Sequence, residues 1–245
     1  MHNQVVFITG GTRGLGLATA RECLAQGAKV ALNYRHDDTQ AELAKQALNA
    51  GDRVLLLKGD VSDLSLHNGF LQTILSTFGK LDVLVNNAGI VGWKSFMEAT
   101  PELYDQVMTV NVKGTYFLSQ TIAHYWIEHQ QMGNIINIAS IGGHRAAPAL
   151  TPYCVSKAAV LLMTKCMAKE LAPQGIRVNS VSPGVVATDI NRQFWEDEQR
   201  WSEVVKGIPL GRCGKPENIA QAVVLLVQND FAIGTDIVVD GGART

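Results

Sequence analysis

Short apolar runs alternate with amphipathic stretches along the whole chain, and this alternation constrains the fold more than any other feature. Seven runs have the length and the β-branched content of strands. Strands that are apolar on both faces belong to a parallel sheet that helices cover on both sides. The predicted strands are residues 4–8, 29–34, 53–58, 81–85, 134–139, 176–181 and 237–239.

Helical periodicity fills the segments between these runs. A long helix from Pro101 to about Gln130 is favoured by Thr100 as its N-cap and by proline at its first position. Pro173 ends the helix that follows the fifth strand. We therefore predict a single doubly wound α/β domain over residues 1–245, with a seven-stranded parallel sheet. The other predicted helices are residues 15–26, 38–50, 65–78, 152–171 and 217–228.

Residues 184–215 lie outside the alternation of strands and helices. They include Phe194, Trp195 and Trp201 among charged residues. Aromatic side chains in such an insertion either form a lid over a substrate or pack the insertion onto the domain, and both interpretations stay open. We expect a substrate-covering insertion near residues 184–215.

Composition narrows the possible partners and the compartment. The chain has 245 residues and a net charge of −1, which offers no attraction to nucleic acid or to an anionic membrane surface. No apolar run reaches about 18 residues, the length of a membrane span, and the first residues are strand-like, without a signal peptide. The four cysteines show no C-x-x-C pairing and fit reduced thiols. We expect a cytoplasmic protein with no metal site.

A glycine-rich turn joins the first strand to the first helix, in the sequence Thr9-Gly10-x3-Gly14-x-Gly16. Glycines allow positive φ and bring backbone N–H groups close to a phosphate, and a helix N-terminus attracts that anion. The spacing differs from G-x-G-x-x-G, but the strand-to-helix position is the one that nucleotide binding requires. A plain structural turn is the alternative.

The end of the second strand bears on the choice of nucleotide. An acidic residue there would bind the ribose 2′-hydroxyl of NAD, whereas this chain has Asn33-Tyr34-Arg35. Arg35 and Arg13 are placed where a 2′-phosphate would lie, so we predict NADP(H) as the preferred cofactor, with NAD(H) possible. The alternative is that both arginines are simply solvated.

After the fourth strand the chain reads Asn86-Asn87-Ala88-Gly89. Two amides followed by small residues suit a tight turn, and they equally suit the close approach of a flat cofactor ring. Ligands of open α/β sheets bind at the carboxyl ends of strands, which favours the second interpretation.

A serine, a tyrosine and a lysine follow the fifth strand as Ser140-x12-Tyr153-x3-Lys157. Tyr153 and Lys157 are i and i+4 on the predicted helix, so they share a face with Ser156 nearby. Val155, Ala158, Ala159, Leu162 and Cys166 are predicted to form its apolar packing face. Lowering a tyrosine pKa from about 10 to about 7 requires about 4 kcal/mol. The lysine cation and an oxidised nicotinamide are expected to supply it.

Taken in order, these motifs resemble the short-chain dehydrogenase/reductase family over nearly the whole chain. Each motif alone is unspecific, but the combination is highly specific. The resemblance implies a Rossmann-type domain, NAD(P)-dependent interconversion of a carbonyl and an alcohol, and a homodimer or homotetramer. The motifs are the glycine-rich turn, Asp60, the Asn86–Gly89 turn, Asn111, the Ser140–Tyr153–Lys157 set and Pro183-Gly184-x3-Thr188.

The resemblance also implies residue roles. Tyr153 would exchange a proton with the substrate oxygen, Ser140 would hydrogen-bond that oxygen, and Lys157 would lower the tyrosine pKa and bind the nicotinamide ribose. Asn111 would hold a water linked to Lys157. The residues expected to contact the cofactor are Gly10, Thr12, Arg13, Gly14, Leu15, Gly16, Tyr34, Arg35, Asp60, Val61, Asn87, Ala88, Gly89, Tyr153, Lys157, Pro183, Gly184, Val186 and Thr188.

The motifs are compatible with two classes of function. The first is an oxidoreductase acting on a ketone and a secondary alcohol; the second is a non-catalytic nucleotide-binding regulator, which the complete catalytic set disfavours. Among oxidoreductases, the chain resembles 3-oxoacyl-[acyl-carrier-protein] reductases.

The choice between a free small molecule and a carrier-bound substrate depends on charge. The resembling reductases carry basic residues before the fifth strand and after the Tyr-Lys helix, where this chain has glutamine at residues 129–133 and 173–175. We therefore favour a free small-molecule carbonyl compound, of a polar or cyclic kind, over an acidic carrier. Candidate cations that could still serve a carrier are Lys113, Arg145 and Arg192, and candidate cleft residues are Trp93, His144 and Arg145.

Overall fold

Seven apolar runs form one parallel sheet in the order β3-β2-β1-β4-β5-β6-β7, which confirms the predicted sheet. The computed structural model describes residues 1–188 and 197–245. The chain builds outward from β1 to β3, then returns to place β4 on the other side of β1, so the strand order reverses between β1 and β4. The strands are β1 (Val5–Ile8), β2 (Lys29–Tyr34), β3 (Val54–Lys58), β4 (Val83–Asn86), β5 (Gly133–Ile138), β6 (Ile176–Pro183) and β7 (Asp236–Val239).

Helices cover both faces of the sheet and enclose a separate apolar core on each. The helices of the described residues are α1 (Gly14–Ala25), α2 (Asp38–Leu48), α3 (His67–Phe78), α4 (Pro101–Met108), α5 (Thr115–Glu128), α6 (Thr151–Leu171), α7 (Glu198–Lys206) and α8 (Pro216–Gln228). One face packs on α1 and α8, through residues such as Cys23 and Val223. The other face packs on α3, α5 and α6, with Trp126 and Phe70 in its core.

The long helix predicted from Pro101 is continuous to Glu128, but its middle is a π-helix over Thr109–Gly114. Thr100 caps it as predicted, because its hydroxyl accepts a hydrogen bond from the N–H of Leu103 at 3.3 Å. π-Helical turns inside α-helices are uncommon and often lie at functional sites. Here the turn contains Asn111, which is buried.

The predicted packing face of α6 is wrong for the single chain. Val155 and Leu162 are 44% and 64% exposed, and Cys166 is exposed as well. The helix instead buries a mixed face of polar and apolar residues against the sheet and the π-helical turn. This buried face consists of Pro152, Ser156, Lys157, Val160, Leu161, Thr164 and Ala168.

The region outside the alternation contains a helix that the sequence pattern did not predict, α7. Phe194 and Trp195, the other aromatic residues of the expected insertion, lie outside the described residues, as does Arg192. Trp201, on α7, is half-buried. Within the described residues no helix has both the length and the apolar composition needed to cross a membrane.

Candidate active site

A cavity of about 720 Å³ lies along the carboxyl ends of the strands. The glycine-rich turn lines one end of it, and Ser140 and Tyr153 line the other. Parallel sheets of this topology bind ligands at this edge. Every residue predicted for catalysis or cofactor contact lines the cavity, with the exceptions of Gly16 and Asn111.

The glycine-rich turn presents bare backbone to the cavity. Gly10 and Gly14 adopt φ of 59° and 51°, a region that favours glycine. A Cβ on Gly16 would lie 2.3 Å from the carbonyl oxygen of Gly10, so this glycine lets α1 pack directly on the turn. The N-terminal N–H groups of α1 are not capped by the side chain of Arg13. Uncapped N–H groups beside a glycine-rich turn fit a phosphate group.

The turn after β4 braces the glycine-rich turn. Asn87 Nδ2 donates to the carbonyl oxygens of Thr9 at 2.9 Å and Gly10 at 3.0 Å. The Thr9 hydroxyl accepts hydrogen bonds from the N–H groups of Asn87 and Ala88, at 3.0 and 2.9 Å. The amide of Asn87 is thus used for structure, and the small residues Ala88 and Gly89 form the open wall of the cavity.

Charged residues of both signs meet at the end of the cavity beside β2. Arg13 Nη2 lies 3.1 Å from Asp37 Oδ2, and Arg35 Nη1 lies 3.7 Å from Asp60 Oδ2. Both arginines are about half exposed. Sequence reasoning missed Asp37 because it follows β2 by three residues. Its position just before α2, where an N-cap belongs, was the available signal.

Ser140, Tyr153 and Lys157 come together at the opposite end. Ser140 Oγ accepts a hydrogen bond from the N–H of Gly142 at 3.0 Å and is hydrogen-bonded with Tyr153. Lys157 Nζ donates to the carbonyl oxygen of Ile138 at 2.7 Å and lies 5.7 Å from the centroid of the Tyr153 ring. Lys157 is buried, although it lines the cavity.

Burial shifts both titratable groups of this cluster. It raises the pKa of Tyr153 above its usual value of 10, and the hydrogen bond with Ser140 opposes that rise. It lowers the pKa of Lys157 from 10.5 to about 8. The rise in the tyrosine pKa that burial causes is therefore larger than the lowering expected from Lys157. The pair holds a neutral phenol beside an amine that loses its proton more readily than usual.

Asn111 lies behind this cluster rather than in the cavity wall. Its Oδ1 accepts a hydrogen bond from the N–H of Ile90 at 2.9 Å, and its Nδ2 donates to the Ile90 carbonyl oxygen and the Ser156 hydroxyl, each at 3.0 Å. Ser156 in turn donates to the carbonyl oxygen of Tyr153 at 2.7 Å. The π-helical turn thus ties the segment after β4 to the first turn of α6. The water expected at Asn111 stays a prediction.

The candidate cleft residues divide into two groups. Trp93, Arg145 and Trp201 line the cavity. His144 does not, because its Nε2 lies 2.8 Å from Asp236 Oδ2 on β7. Residues 129–133 and 173–175 precede β5 and β6, at the opposite edge of the sheet from the cavity. In the single chain these residues therefore lie away from the cavity mouth, and their glutamines carry no information about the charge there.

Comparisons with known proteins agree with this geometry. Residues 10–244 match a family model described as enoyl-(acyl carrier protein) reductase. The chain is 35% identical to the L-rhamnose 1-dehydrogenase (NAD(P)(+)) of Azotobacter vinelandii, covering 98% of this chain and 96% of the relative. It is also 35% identical to the 2-dehydro-3-deoxy-D-gluconate 5-dehydrogenase of Dickeya dadantii, covering 99% of this chain and 96% of that protein.

A solved structure is similar over the full length. The 3-ketoacyl-(acyl-carrier-protein) reductase of Brucella melitensis, complexed with NADH, superposes with a TM-score of 0.92 at 32% identity. The alignment covers 100% of this chain and 99% of that structure. The predicted family is thereby confirmed. The chain belongs to the short-chain dehydrogenase/reductase family, and it is an NAD(P)-dependent oxidoreductase that acts on CH–OH and C=O groups.

Proposed function

We propose that this enzyme interconverts a ketone and a secondary alcohol on a free, polar small molecule, with NADP(H) as the preferred cofactor and NAD(H) also accepted. One observation carries the proposal. A proton donor, its hydrogen-bonding serine and a buried amine lie at one end of a cavity that has two arginines at its other end. A dinucleotide bound at the carboxyl ends of the strands would run from one of these ends to the other.

The residues that would hold the cofactor are those of the cavity wall. The glycine-rich turn and the N-terminus of α1 would bind the pyrophosphate, and Arg13 and Arg35 would bind a 2′-phosphate. Ala88, Gly89 and Thr188 would lie against the nicotinamide end. When bound, the nicotinamide gives or takes the hydride. Asp37 opposes strict selectivity, because its carboxylate already pairs with Arg13 and would repel a 2′-phosphate.

The chain's own residues would handle the proton. A substrate carbonyl oxygen placed between Ser140 and Tyr153 would accept hydrogen bonds from both hydroxyls. Tyr153 would then donate its proton as the oxygen becomes an alcohol, which is general acid catalysis. The ammonium of Lys157 would stabilise the phenolate that remains. Asn111 and Ser156 would keep the first turn of α6 in place through the hydrogen bonds described above.

The relatives support a sugar-like substrate. One is named for L-rhamnose and another for 2-dehydro-3-deoxy-D-gluconate. The 3-oxoacyl-carrier alternative keeps support from the Brucella melitensis structure. We favour the free small molecule because Trp93 and Trp201 wall the substrate end with flat aromatic surfaces. Residues 184–215 would cover this end, and α7 already brings Trp201 and Val204 to the cavity.

The test is a substrate panel under one set of conditions. Aldoses, polyols, sugar acids and a 3-oxoacyl group on carrier protein and on a short thioester are assayed with NADPH, NADH and their oxidised forms. We expect kcat/KM to be highest for a sugar-like compound with the NADP couple. A strong preference for the carrier-bound thioester would select the 3-oxoacyl alternative. Tight cofactor binding with no turnover on any compound would favour the non-catalytic regulator.

Exposed apolar residues and free cysteines bear on the assembly of the protein and on its location. We propose a homodimer or homotetramer in which the exposed apolar residues of α5 and α6, including Phe117 and Leu162, pack against a second copy. We also propose a cytoplasmic location, supported by four cysteines that are all free thiols.

A further inference from the structure

The turn after Ser140 sends two consecutive basic side chains in different directions. His144 leaves the cavity: its Nε2 lies 2.8 Å from Asp236 Oδ2 and 3.3 Å from Ser182 Oγ. Arg145 lines the cavity. The N–H of Arg145 donates to the carbonyl oxygen of Ile141 at 3.0 Å, so the residue sits one short turn beyond Ser140.

The carboxylate that His144 contacts also accepts hydrogen bonds from β6. Asp236 Oδ1 accepts hydrogen bonds from Ser180 Oγ at 2.6 Å and from Ser182 Oγ at 3.0 Å, while Oδ2 faces His144. Arg244 approaches His144 from the other side, with Nη1 3.5 Å from Nδ1. His144 therefore anchors the turn to β6 and β7, and Asp236 is already engaged by this histidine and by two serine hydroxyls.

Arg145 differs from the other cations of the cavity wall. Arg13 lies beside Asp37 and Arg35 beside Asp60, and Lys157 donates to the Ile138 carbonyl oxygen. Among residues 1–188 and 197–245, the guanidinium of Arg145 makes neither a hydrogen bond nor an ion pair. The cavity wall also includes the apolar side chains of Trp93, Leu150 and Val185. Arg145 itself is exposed, so its guanidinium is free to meet a ligand that enters the cavity.

We propose that Arg145 binds a carboxylate of the substrate, so that the enzyme's substrate class is polyhydroxy acids rather than neutral sugars. The inference rests on the proposed function, which names a sugar-like substrate and does not distinguish polyhydroxy acids from neutral sugars. A guanidinium holds a carboxylate by two parallel charge-assisted hydrogen bonds. In the described part of the chain no second unpaired cation lines this end, and a single positive charge matches a carboxylate better than a phosphate dianion.

The experiment uses two probes that differ in one group. D-Gluconate and D-sorbitol share a six-carbon polyhydroxy chain, and sorbitol has CH2OH where gluconate has its carboxylate. Their affinities are measured by calorimetry on the full chain saturated with NADP. We expect wild type to bind gluconate about ten- to a hundredfold more tightly than sorbitol. Arg145→Gln should remove that difference, and Arg145→Lys, which keeps the charge but not the planar fork, should retain part of it.

Arg21→Gln is the matched control, because Arg21 is exposed on α1 and does not line the cavity. Equal affinity of the two probes in wild type, or a gluconate advantage that survives in Arg145→Gln, would overturn the assignment. If the assignment fails in this way, turnover of neutral sugars would still support the proposed function. Failure of wild type to turn over any sugar or sugar acid would remove the proposed function itself. A loss in Arg145→Gln confined to carrier-bound 3-oxoacyl substrate would reassign the arginine to the carrier.

Discussion

Lys157 is buried and Tyr153 is half-buried beside it, and removal from water disfavours the charged form of each. The phenol therefore keeps its proton at neutral pH, because its pKa lies above the usual value. Lys157, with a pKa of about 8, is still mostly an ammonium at pH 7. A neutral phenol can donate its proton to a substrate carbonyl oxygen. Oxidation of an alcohol needs further positive charge near the ring to stabilise the phenolate.

Replacing the phenol tests this assignment. Tyr153→Phe keeps the ring and removes the proton donor, so turnover should fall by about 10²- to 10⁴-fold. Cofactor affinity, measured by fluorescence titration of NADPH, should change little. The control is Tyr104→Phe, at a residue that is 45% exposed on α4. Near-full activity of Tyr153→Phe on the best substrate would rule out Tyr153 as the proton donor.

The pKa of Lys157 predicts a pH dependence of stability. The folded pKa of about 8 lies below the ordinary 10.5. Between these values the unfolded chain binds more protons than the folded chain, so the free energy of unfolding rises with pH across that window. Relative to Lys157→Met, we expect wild type to gain about 3 kcal/mol from pH 8 to pH 10.5. Urea unfolding of both proteins at several pH values measures this, and parallel curves would contradict it.

At the scale of elements, the loop from β2 to α2 holds charged residues that would distinguish NADP(H) from NAD(H). Asp37 caps α2, since its Oδ1 accepts a hydrogen bond from the N–H of Gln40 at 3.0 Å, and its Oδ2 pairs with Arg13. Arg35, on the same loop, faces Asp60. A 2′-phosphate would gain from both arginines and lose from Asp37.

Two substitutions in this loop test the effects of the arginine and of the carboxylate separately. Arg35→Ala should weaken NADPH by about ten- to a hundredfold and NADH much less, because a charge-assisted hydrogen bond is lost. Asp37→Asn preserves the helix cap and removes the carboxylate, so it should shift preference towards NADPH. Titration of both nucleotides at fixed ionic strength measures the ratio. Equal weakening of NADPH and NADH by Arg35→Ala would remove its assignment to the phosphate.

Elements with a local signal were predictable and those fixed by tertiary contacts were not. The bounds of β2 and the cap at Thr100 follow from residue type. The strand predicted from Leu81 begins at Val83, since the Leu81 carbonyl oxygen accepts a hydrogen bond from Trp126 Nε1 at 2.6 Å. Likewise, the site residues were expected from local motifs and from the family that these motifs resemble. The contact of His144 with Asp236 joins residues 92 positions apart and has no local signal.

At the scale of the whole molecule, the exposed apolar side chains of α5 and α6 call for an explanation beyond the single chain. The sequence pattern marked Val155 and Leu162 as a packing face, yet both are exposed. A net charge of −1 gives little repulsion between copies. A face of this kind on a monomer would favour association.

A charge introduced on this face tests the assembly. Leu162→Glu would bury a carboxylate in the proposed interface, so we expect a smaller species by size-exclusion chromatography with light scattering. Gln72→Glu adds the same charge at an exposed residue of α3 and should leave the mass unchanged. If Leu162→Glu and wild type have the same mass, α6 does not form the interface.

The π-helical turn Thr109–Gly114 joins α4 to α5 and fixes how far α5 is rotated about the helix axis relative to α4. Each residue of an α-helix advances by about 100° around the axis, because a turn takes 3.6 residues. A π-helical turn contains extra residues, so α5 is rotated relative to an uninterrupted α-helix. Leu118, Ile122 and Trp126 face the sheet only with that offset. Deleting one residue from the turn would close it into an ordinary α-helix and leave this apolar stripe facing the core, so the extra residue changes the position of Asn111 and not the packing of α5.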